Sequence, residues 1–160
     1  MVTVTAAGTK RVSVAGLVCI KPGQRTRLIY RTRVDRGPRK NRRKGFDETD
    51  YARLLDAAHQ QLGGPIVLIW DNLNTHVSTR MRALISERSW LRVYQLPPYA
   101  PELNPVEAVW SHLKRSLTNL AKTGIDELTA LVKARLCRMQ YRHGLIDGFV
   151  AKTGLDFQAP

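Results

Sequence analysis

The sequence predicts an α/β domain, and three features of its 160 residues indicate that class. Two β-rich stretches, RVSVAGLVCI and RTRLIYRTRV, flank a Lys-Pro-Gly-Gln turn and predict a hairpin. A continuous apolar run, PIVLIW, is typical of a strand in a parallel or mixed sheet. Amphipathic segments with helical spacing separate the later strands, which favours one domain with a mixed sheet flanked by helices.

The N-terminal third is predicted to be β-structure. Residues 11–20 and 25–34 form the hairpin, and the loop 36–45 follows it. Residues 2–6 alternate β-branched apolar and hydroxyl side chains, which is typical of a strand.

The first predicted helix follows this loop. Asp47 can cap its start, Gly63 and Gly64 can end it, and Phe46 is placed to pack on Tyr51 as a hydrophobic staple. Its apolar residues at helical spacing are Tyr51, Leu54, Leu55, Ala58 and Leu62.

The alternation of elements continues to the C-terminus. The run 65–70 is predicted to be a strand covered on both faces, and residues 91–96 form another strand. Helices are predicted over 78–88, 104–120 and 126–139. The last of these places Leu128, Leu131, Val132 and Leu136 inward. We therefore divide the domain into a basic hairpin and loop over 11–45, core strands and helices over 46–120, and C-terminal helices over 121–160.

The composition predicts a soluble, basic, cytoplasmic protein. The net charge is +13 and the sequence pI is about 10.4. No apolar run approaches the roughly 18 residues that span a bilayer, and no signal-peptide pattern opens the sequence. Cys19 and Cys137 lie in apolar segments without the spacing of a metal site, so we expect buried thiols in a reducing compartment.

Basic residues are concentrated between Lys21 and Lys44, where Asp35 is the only acid. Part of this block alternates with apolar residues, so an extended strand would display it on one face, where it suits a phosphate backbone. The alternative is a solvated edge strand and loop kept soluble by charge. The candidate DNA-binding residues of the block are Arg25, Arg27, Arg31, Arg33, Arg39, Lys40, Arg42, Arg43 and Lys44.

Two acids are candidates for chemistry. Asp71 follows the strand 65–70 directly, and α/β sheets bind ligands at the carboxyl ends of their strands. Its alternative role is to cap the next loop. Glu107 lies at the start of a predicted helix, with Asn104 as the N-cap and Pro105 as the first helical residue. A glutamate at this position completes a capping box, so Glu107 could simply stabilise its helix.

Asp71 and Glu107 together favour a catalytic site more strongly than either acid alone, because the strand 91–96 and its proline-rich exit lie between them. If that strand ends beside Asp71, its exit would return Glu107 to the same sheet edge. Two carboxylates there would suit Mg²⁺, which binds through carboxylates, water and substrate phosphate. Two such ions activate an attacking oxygen and stabilise the leaving oxygen.

The segments IVLIWDNLNTH and LPPYAPELNPVEAVWSHLK together resemble the DDE endonuclease domain of mariner-related bacterial insertion-sequence transposases. The shared features are Asp-Asn-x-x-x-His, the spacing from Asp71 to Glu107, and the proline-rich approach to Asn-Pro-x-Glu. The resemblance implies a ribonuclease-H-like fold. It also implies metal-dependent DNA strand cleavage and strand transfer with Mg²⁺ or Mn²⁺, with Asp71 as the second catalytic acid and Glu107 as the third.

The same resemblance implies partners and a departure from the family pattern. The implied partners are transposon ends and target DNA, together with a second copy of the chain or a complementing upstream transposase segment. The implied location is the nucleoid of a bacterial cell. In the family, a first catalytic Asp lies on a strand upstream of the hairpin, and a helix-turn-helix region precedes it; neither is found in these 160 residues. We therefore expect a sheet lacking its first strand, in which residues 2–6 either pair at an edge of the hairpin or fill part of the gap, because buried unpaired strand edges are costly. The chain would then be a truncated or split-frame transposase or an inactive DNA-binding remnant.

Five further residues near the motifs are candidates for supporting roles. Asn72 orients the Asp71 carboxylate or shapes the turn, and His76 supports the metal site or DNA, or is a loop or core histidine. Trp110 has helical spacing from Glu107 and is predicted to pack in the core. Lys114 and Arg115 are predicted phosphate contacts.

Overall fold

The computed structural model describes residues 1–6, 10–37, 45–118 and 124–155. These residues form two compact units. We call Met1–Phe46 together with Pro105–Pro160 the terminal unit, and Asp47–Asn104 the middle unit. No described helix has the length and apolar character needed to cross a membrane.

The elements follow the predicted alternation. The strands are β1 (Val2–Thr5), β2 (Arg11–Cys19), β3 (Arg27–Asp35), β4 (Ile66–Trp70) and β5 (Leu91–Gln95). The helices are α1 (Glu48–Leu62), α2 (Asn74–Val77), α3 (Thr79–Ser86), α4 (Pro105–Ser116), α5 (Ile125–Gln140) and α6 (His143–Ala151), with a 3₁₀ turn over Pro101–Leu103.

The sheet of the terminal unit is an antiparallel meander in the order β1-β2-β3. In the centre of this sheet, Val14 of β2 lies opposite Val2 of β1 and Thr32 of β3. The predicted hairpin is confirmed, and so is the pairing of the N-terminal segment at its edge. The described strands form two separate sheets, one in each unit.

The core of the terminal unit is formed by even-numbered residues of the meander and by α4, α5 and α6. Val12, Val14 and Leu28 belong to the same buried cluster as Val132 and Leu136. This arrangement follows from the two-residue period of a strand and the 3.6-residue period of a helix, which each collect apolar side chains on one face.

Trp110 lies in this core, as predicted. Its indole packs against the backbone of Gly16 on β2, where an added Cβ would lie 2.9 Å from Trp110 Cη2. Glycine therefore lets the ring approach the sheet closely.

Two features of the terminal unit differ from the sequence predictions. Helix α6 was not predicted, because Gly144 and Gly148 weaken its local propensity; it is stabilised by burial of Ile146 and Phe149 in the core. The prediction of two buried thiols is wrong for Cys137, which is exposed on α5. Cys19 is half-buried, and burial raises its thiol pKa to about 12.

The middle unit begins with α1, whose ends are as predicted. Asp47 and Asp50 form a reciprocal capping box, with Asp47 Oδ1 accepting from the Asp50 backbone N–H at 3.0 Å. Gly63 ends the helix with φ of 63°, a left-handed conformation that glycine adopts readily. Strands β4 and β5 of this unit pair in parallel, with Ile66 opposite Leu91 and Trp70 opposite Gln95.

The prediction that the apolar run is covered on both faces is wrong. Leu68 and Trp70 are buried, whereas Val67 and Ile69 are 64% and 47% exposed. Tyr94 of β5 is exposed as well. Successive side chains of a strand point to opposite faces, so the described residues cover only one face of this two-stranded sheet.

Candidate active site

Two hydrogen bonds join the carboxyl ends of β4 and β5 beside Asp71. The Leu96 backbone N–H donates to the Trp70 carbonyl at 2.8 Å, which extends the parallel pairing by one residue. Asn72 Nδ2 donates to the Leu96 carbonyl at 2.8 Å. The Asn72 side chain thus joins the two strand exits and shapes the turn.

The Asp71 carboxylate is fixed through one of its oxygens. Oδ1 accepts from His76 Nδ1 at 2.8 Å and from the Leu73 backbone N–H at 3.3 Å. His76 Nδ1 also lies 3.2 Å from the Asp71 carbonyl oxygen, and two acceptors at one nitrogen indicate that Nδ1 carries the hydrogen. The hydrogen bond from His76 holds the pKa of Asp71 below its ordinary value of 3.8, against the opposing effect of partial burial.

The His76 ring is held by aromatic contacts. It stacks on Trp70 with centroids 4.1 Å apart and planes 2° apart, and it meets Tyr51 of α1 edge-on at 4.7 Å. The side chain is only 7% exposed. His76 is therefore placed to support Asp71 from inside the unit.

Sequence reasoning missed the two aromatic contacts of this histidine. The sequence places Trp70 in an apolar run, and Tyr51 on a helical face and in the predicted staple with Phe46; neither pattern indicates a contact with His76. The one available signal was position, because Trp70 directly precedes Asp71 and is the last residue of its strand.

The second carboxylate oxygen of Asp71 is open. Within the described part of the chain, Oδ2 accepts no hydrogen bond, and the side chain is 43% exposed. A half-exposed carboxylate with one free oxygen fits a hard divalent cation. No group of three or more His, Cys, Asp or Glu side chains in the described ranges is arranged to hold a metal ion.

Glu107 lies in the first turn of α4, in the terminal unit. The helix begins at Pro105, as predicted, and Glu107 is half-buried. On the same helix, Val109, Trp110 and Leu113 are buried. The approach of Glu107 to Asp71 stays a prediction.

The predicted basic face of β3 is interrupted. Arg25, Arg27 and Arg31 are exposed and Arg33 is half-buried, but Ile29 lies between two of these arginines on the same face and is buried. The side chains of β3 alternate between the two faces as predicted, but buried Ile29 separates Arg27 from Arg31, so the exposed basic residues do not form a continuous row. The other candidates of the block, Arg39, Lys40, Arg42, Arg43 and Lys44, lie outside the described residues.

Lys114 and Arg115 are exposed in the last turn of α4. Cations at the end of a helix are favoured by its dipole, so their position has a structural explanation as well as a functional one. Their contact with DNA stays a prediction.

Comparison with known proteins identifies the class of this chain. The profile of the DDE superfamily endonucleases matches residues 9–129, a range that includes both Asp71 and Glu107. The chain belongs to that family, and the resemblance drawn from its motifs is confirmed.

One curated relative is the Tc1 transposase of Caenorhabditis elegans, which is 27% identical over 123 residues. The match covers 72% of this chain and 45% of that protein, so the chain spans less than half of this relative's length.

Two solved structures confirm a ribonuclease-H-like fold. The Mos1 transposase catalytic domain with raltegravir and magnesium matches with a TM-score of 0.62 at 12% identity, covering 98% of this chain and 82% of that one. The catalytic domain of Mos1 mariner transposase matches with a TM-score of 0.52 at 11% identity, covering 92% and 83%.

Proposed function

We propose that this chain is the catalytic-core portion of a bacterial insertion-sequence transposase that cuts transposon DNA and joins it to target DNA. The observation that carries the proposal is Asp71, whose carboxylate stands at the carboxyl end of β4 with Oδ1 fixed and Oδ2 open. Membership of the DDE endonucleases supports the reaction class, and the Tc1 relative supports transposition.

Asp71 and Glu107 are the proposed ligands of Mg²⁺ or Mn²⁺. One of the Mos1 catalytic-domain structures contains magnesium and another contains manganese. Bound divalent ions would activate the attacking oxygen and stabilise charge on the leaving oxygen. With a pKa below the ordinary value of 3.8, Asp71 is ionised at neutral pH, as a cation ligand must be.

His76 and Asn72 are proposed positioning residues. His76 Nδ1 restricts the rotation of the Asp71 carboxylate, and Asn72 fixes the separation of the strand exits through the Leu96 carbonyl. Such supporting bonds matter because catalytic metal ligands must be held in their productive geometry.

The proposed partner is DNA, bound through phosphate contacts of the exposed arginines of the hairpin and of Lys114 and Arg115. These contacts would be largely independent of sequence and sensitive to salt. The first catalytic Asp of the DDE set is proposed to come from an upstream transposase segment, supplied on the same or another polypeptide. Assembly as a homodimer is part of the same proposal.

Mn²⁺ binding to the purified chain, measured by isothermal titration calorimetry, tests the metal ligands. We expect Asp71→Asn and Glu107→Gln each to weaken binding by about tenfold or more, because each removes a charged hard-oxygen ligand. The matched control is Glu102→Gln, since Glu102 is an exposed acid in the 3₁₀ turn before α4. Equal affinities of the wild type, Asp71→Asn and Glu107→Gln would overturn the assignment.

Cleavage of a labelled transposon-end duplex tests the reaction. We expect no useful cleavage by this chain alone, because two-metal chemistry depends on precise positioning by the full ligand set. Cleavage should appear when an upstream segment with the first Asp is added, and Asp71→Asn should abolish it. Salt-sensitive DNA binding without any restored cleavage would instead identify an inactive DNA-binding protein.

A further inference from the structure

The segment between β5 and α4 contains a strained and fully exposed tyrosine. Tyr99 has φ of 61°, and no other non-glycine residue in the described ranges has a positive φ. Its side chain is 101% exposed. A left-handed backbone is unfavourable for such a residue because Cβ crowds the following carbonyl oxygen.

Packing within the protein does not explain this conformation. A buried aromatic ring would stabilise the fold and offset the strain, but the ring of Tyr99 is fully in solvent. Strained backbone positions are concentrated at ligand-binding and catalytic sites, where the surrounding structure imposes them. Tyr99 is therefore a candidate for contact with a ligand.

The loop that carries Tyr99 is stiff at both ends. Pro97 and Pro98 precede it, Pro101 follows it, and the Leu103 backbone N–H donates to the Ala100 carbonyl at 3.2 Å. A backbone restricted in this way loses little conformational entropy when the residue it carries binds a ligand.

The start of the loop lies at the sheet edge that carries Asp71. Leu96 is bonded to Trp70 through its N–H and to Asn72 through its carbonyl, and these two residues flank Asp71. Tyr99 is three residues beyond Leu96, so their Cα atoms are at most about 11 Å apart. That reach corresponds to about three nucleotide steps along one DNA strand.

The chemistry of the loop favours a base over a phosphate. Glu102 is the only charged residue from 96 to 104, so the loop has no cation to neutralise a phosphate. An aromatic ring stacks on any base, because every base presents a π face. In an intact duplex each base is already stacked, so the partner must be an unpaired or terminal base.

We propose that Tyr99 stacks on an unpaired or terminal base of the DNA substrate next to Asp71. This inference rests on the proposed function and specifies the form of DNA that the site accepts, namely an end or a splayed nucleotide. The proline-containing segment 97–101 then positions Tyr99 for the DNA as well as connecting β5 to α4.

Fluorescence titration of the full chain with two DNA probes tests the proposal. One probe is a relaxed, covalently closed circular duplex, which has no terminal base, and the other is a linear duplex with a short 3′ overhang containing 2-aminopurine, whose emission is quenched by stacking. We expect Tyr99→Ala to lose the quenching and to bind the overhang about tenfold more weakly, with little change on the closed duplex. Tyr99→Phe should behave like the wild type.

Tyr141→Ala is the matched control, because Tyr141 is also exposed, at 79%, but follows α5 in the terminal unit. We expect no change from it. Equal quenching and affinity in Tyr99→Ala and the wild type would overturn the proposal, and so would an equal loss in Tyr141→Ala.

Salt titrations separate this inference from the proposed function. Tyr99→Ala should leave the slope of log affinity against log salt unchanged, because stacking releases no counterions. Changing Arg25, Arg27, Arg31 and Arg33 together to Ala should flatten that slope on both probes by about 0.9 for each lost phosphate contact. If only the arginine variant has an effect, the Tyr99 proposal fails and DNA binding stands. If the wild type binds neither probe, both proposals fail.

Discussion

The terminal unit and the middle unit differ in what holds their elements together. Buried apolar side chains from β1, β2, β3 and three helices form one cluster in the terminal unit. The middle unit adds specific polar and aromatic contacts to a smaller core, and it leaves Val67, Ile69 and Tyr94 of its sheet exposed. Apolar side chains in a cluster can adjust their packing, whereas hydrogen bonds, ion pairs and ring stacking fix the positions of particular atoms.

The polar contacts of the middle unit are distributed along its elements. Arg88 forms a bidentate ion pair with Asp56, through Nε at 2.7 Å and Nη2 at 2.9 Å. His59 stacks on Trp90 with centroids 4.0 Å apart. With the His76 contacts of Asp71, these bonds give precise geometry to the unit that contains the candidate catalytic aspartate. Apolar burial therefore supplies stability in the terminal unit, and directional contacts position the candidate site in the middle unit.

The largest expected effect is in the core of the terminal unit. Leu136 is fully buried on α5, so Leu136→Ala should lower the free energy of unfolding by about 3 kcal/mol through lost burial and a residual cavity. Chemical denaturation monitored by circular dichroism measures this change. Leu131→Ala is the control on the same helix and should cost less, because Leu131 is only half-buried. Equal costs at both positions would contradict the location of the core.

A smaller effect is expected in the middle unit. Arg88→Ala should lower the free energy of unfolding by about 1 kcal/mol, since the pair with Asp56 is partly exposed to solvent. Arg82→Ala removes an exposed arginine of α3, the helix that ends just before Arg88, and should be near neutral.

This effect should depend on pH. The hydrogen bond from Arg88 lowers the pKa of Asp56, so the stability that Asp56 contributes is fully present above its ordinary value of 3.8 and is lost as the pH falls through the lowered folded value. The cost of Arg88→Ala should therefore shrink below about pH 4. An unchanged cost in acid would show that the ion pair contributes nothing.

The smallest change in stability is expected for His76→Phe, which keeps an aromatic ring beside Trp70 but removes the Nδ1–H donor. The pKa of Asp71 should rise toward 3.8, because the hydrogen bond that lowers it is lost. Carbon-13 NMR of the aspartate carboxyl groups measures this shift in the metal-free protein. His112→Phe in the terminal unit is the control and should leave the pKa of Asp71 unchanged. An unaltered Asp71 titration in His76→Phe would contradict the role of His76 as its donor.

Local patterns in the sequence were sufficient to predict most elements. The hairpin follows from alternating residues on each side of a Pro-Gly turn, and α1 follows from its cap at Asp47, its apolar spacing and Gly63. Asp71 was identified because it directly follows an apolar strand. These features depend on neighbours within a few positions, so the order of residues alone carries them.

Tertiary structure decided the features that depend on distant partners. Helix α6 forms despite Gly144 and Gly148 because Ile146 and Phe149 are buried, and Gln140 Nε2 fixes the preceding turn by donating to the Leu28 carbonyl at 2.7 Å. The exposure of Val67 depends on which layers cover a strand, which hydrophobicity alone does not specify.

The site shows the same division. Residue order alone shows that an aspartate, an asparagine and a histidine follow one strand, and that prolines stiffen the exit of the next. The folded chain is needed to show that His76 contacts Trp70 and Tyr51 and donates from Nδ1 to Asp71, and that the ring of Tyr99 lies in solvent. Burial and hydrogen bonding are properties of three-dimensional neighbours, and those neighbours are brought together only when the chain has folded.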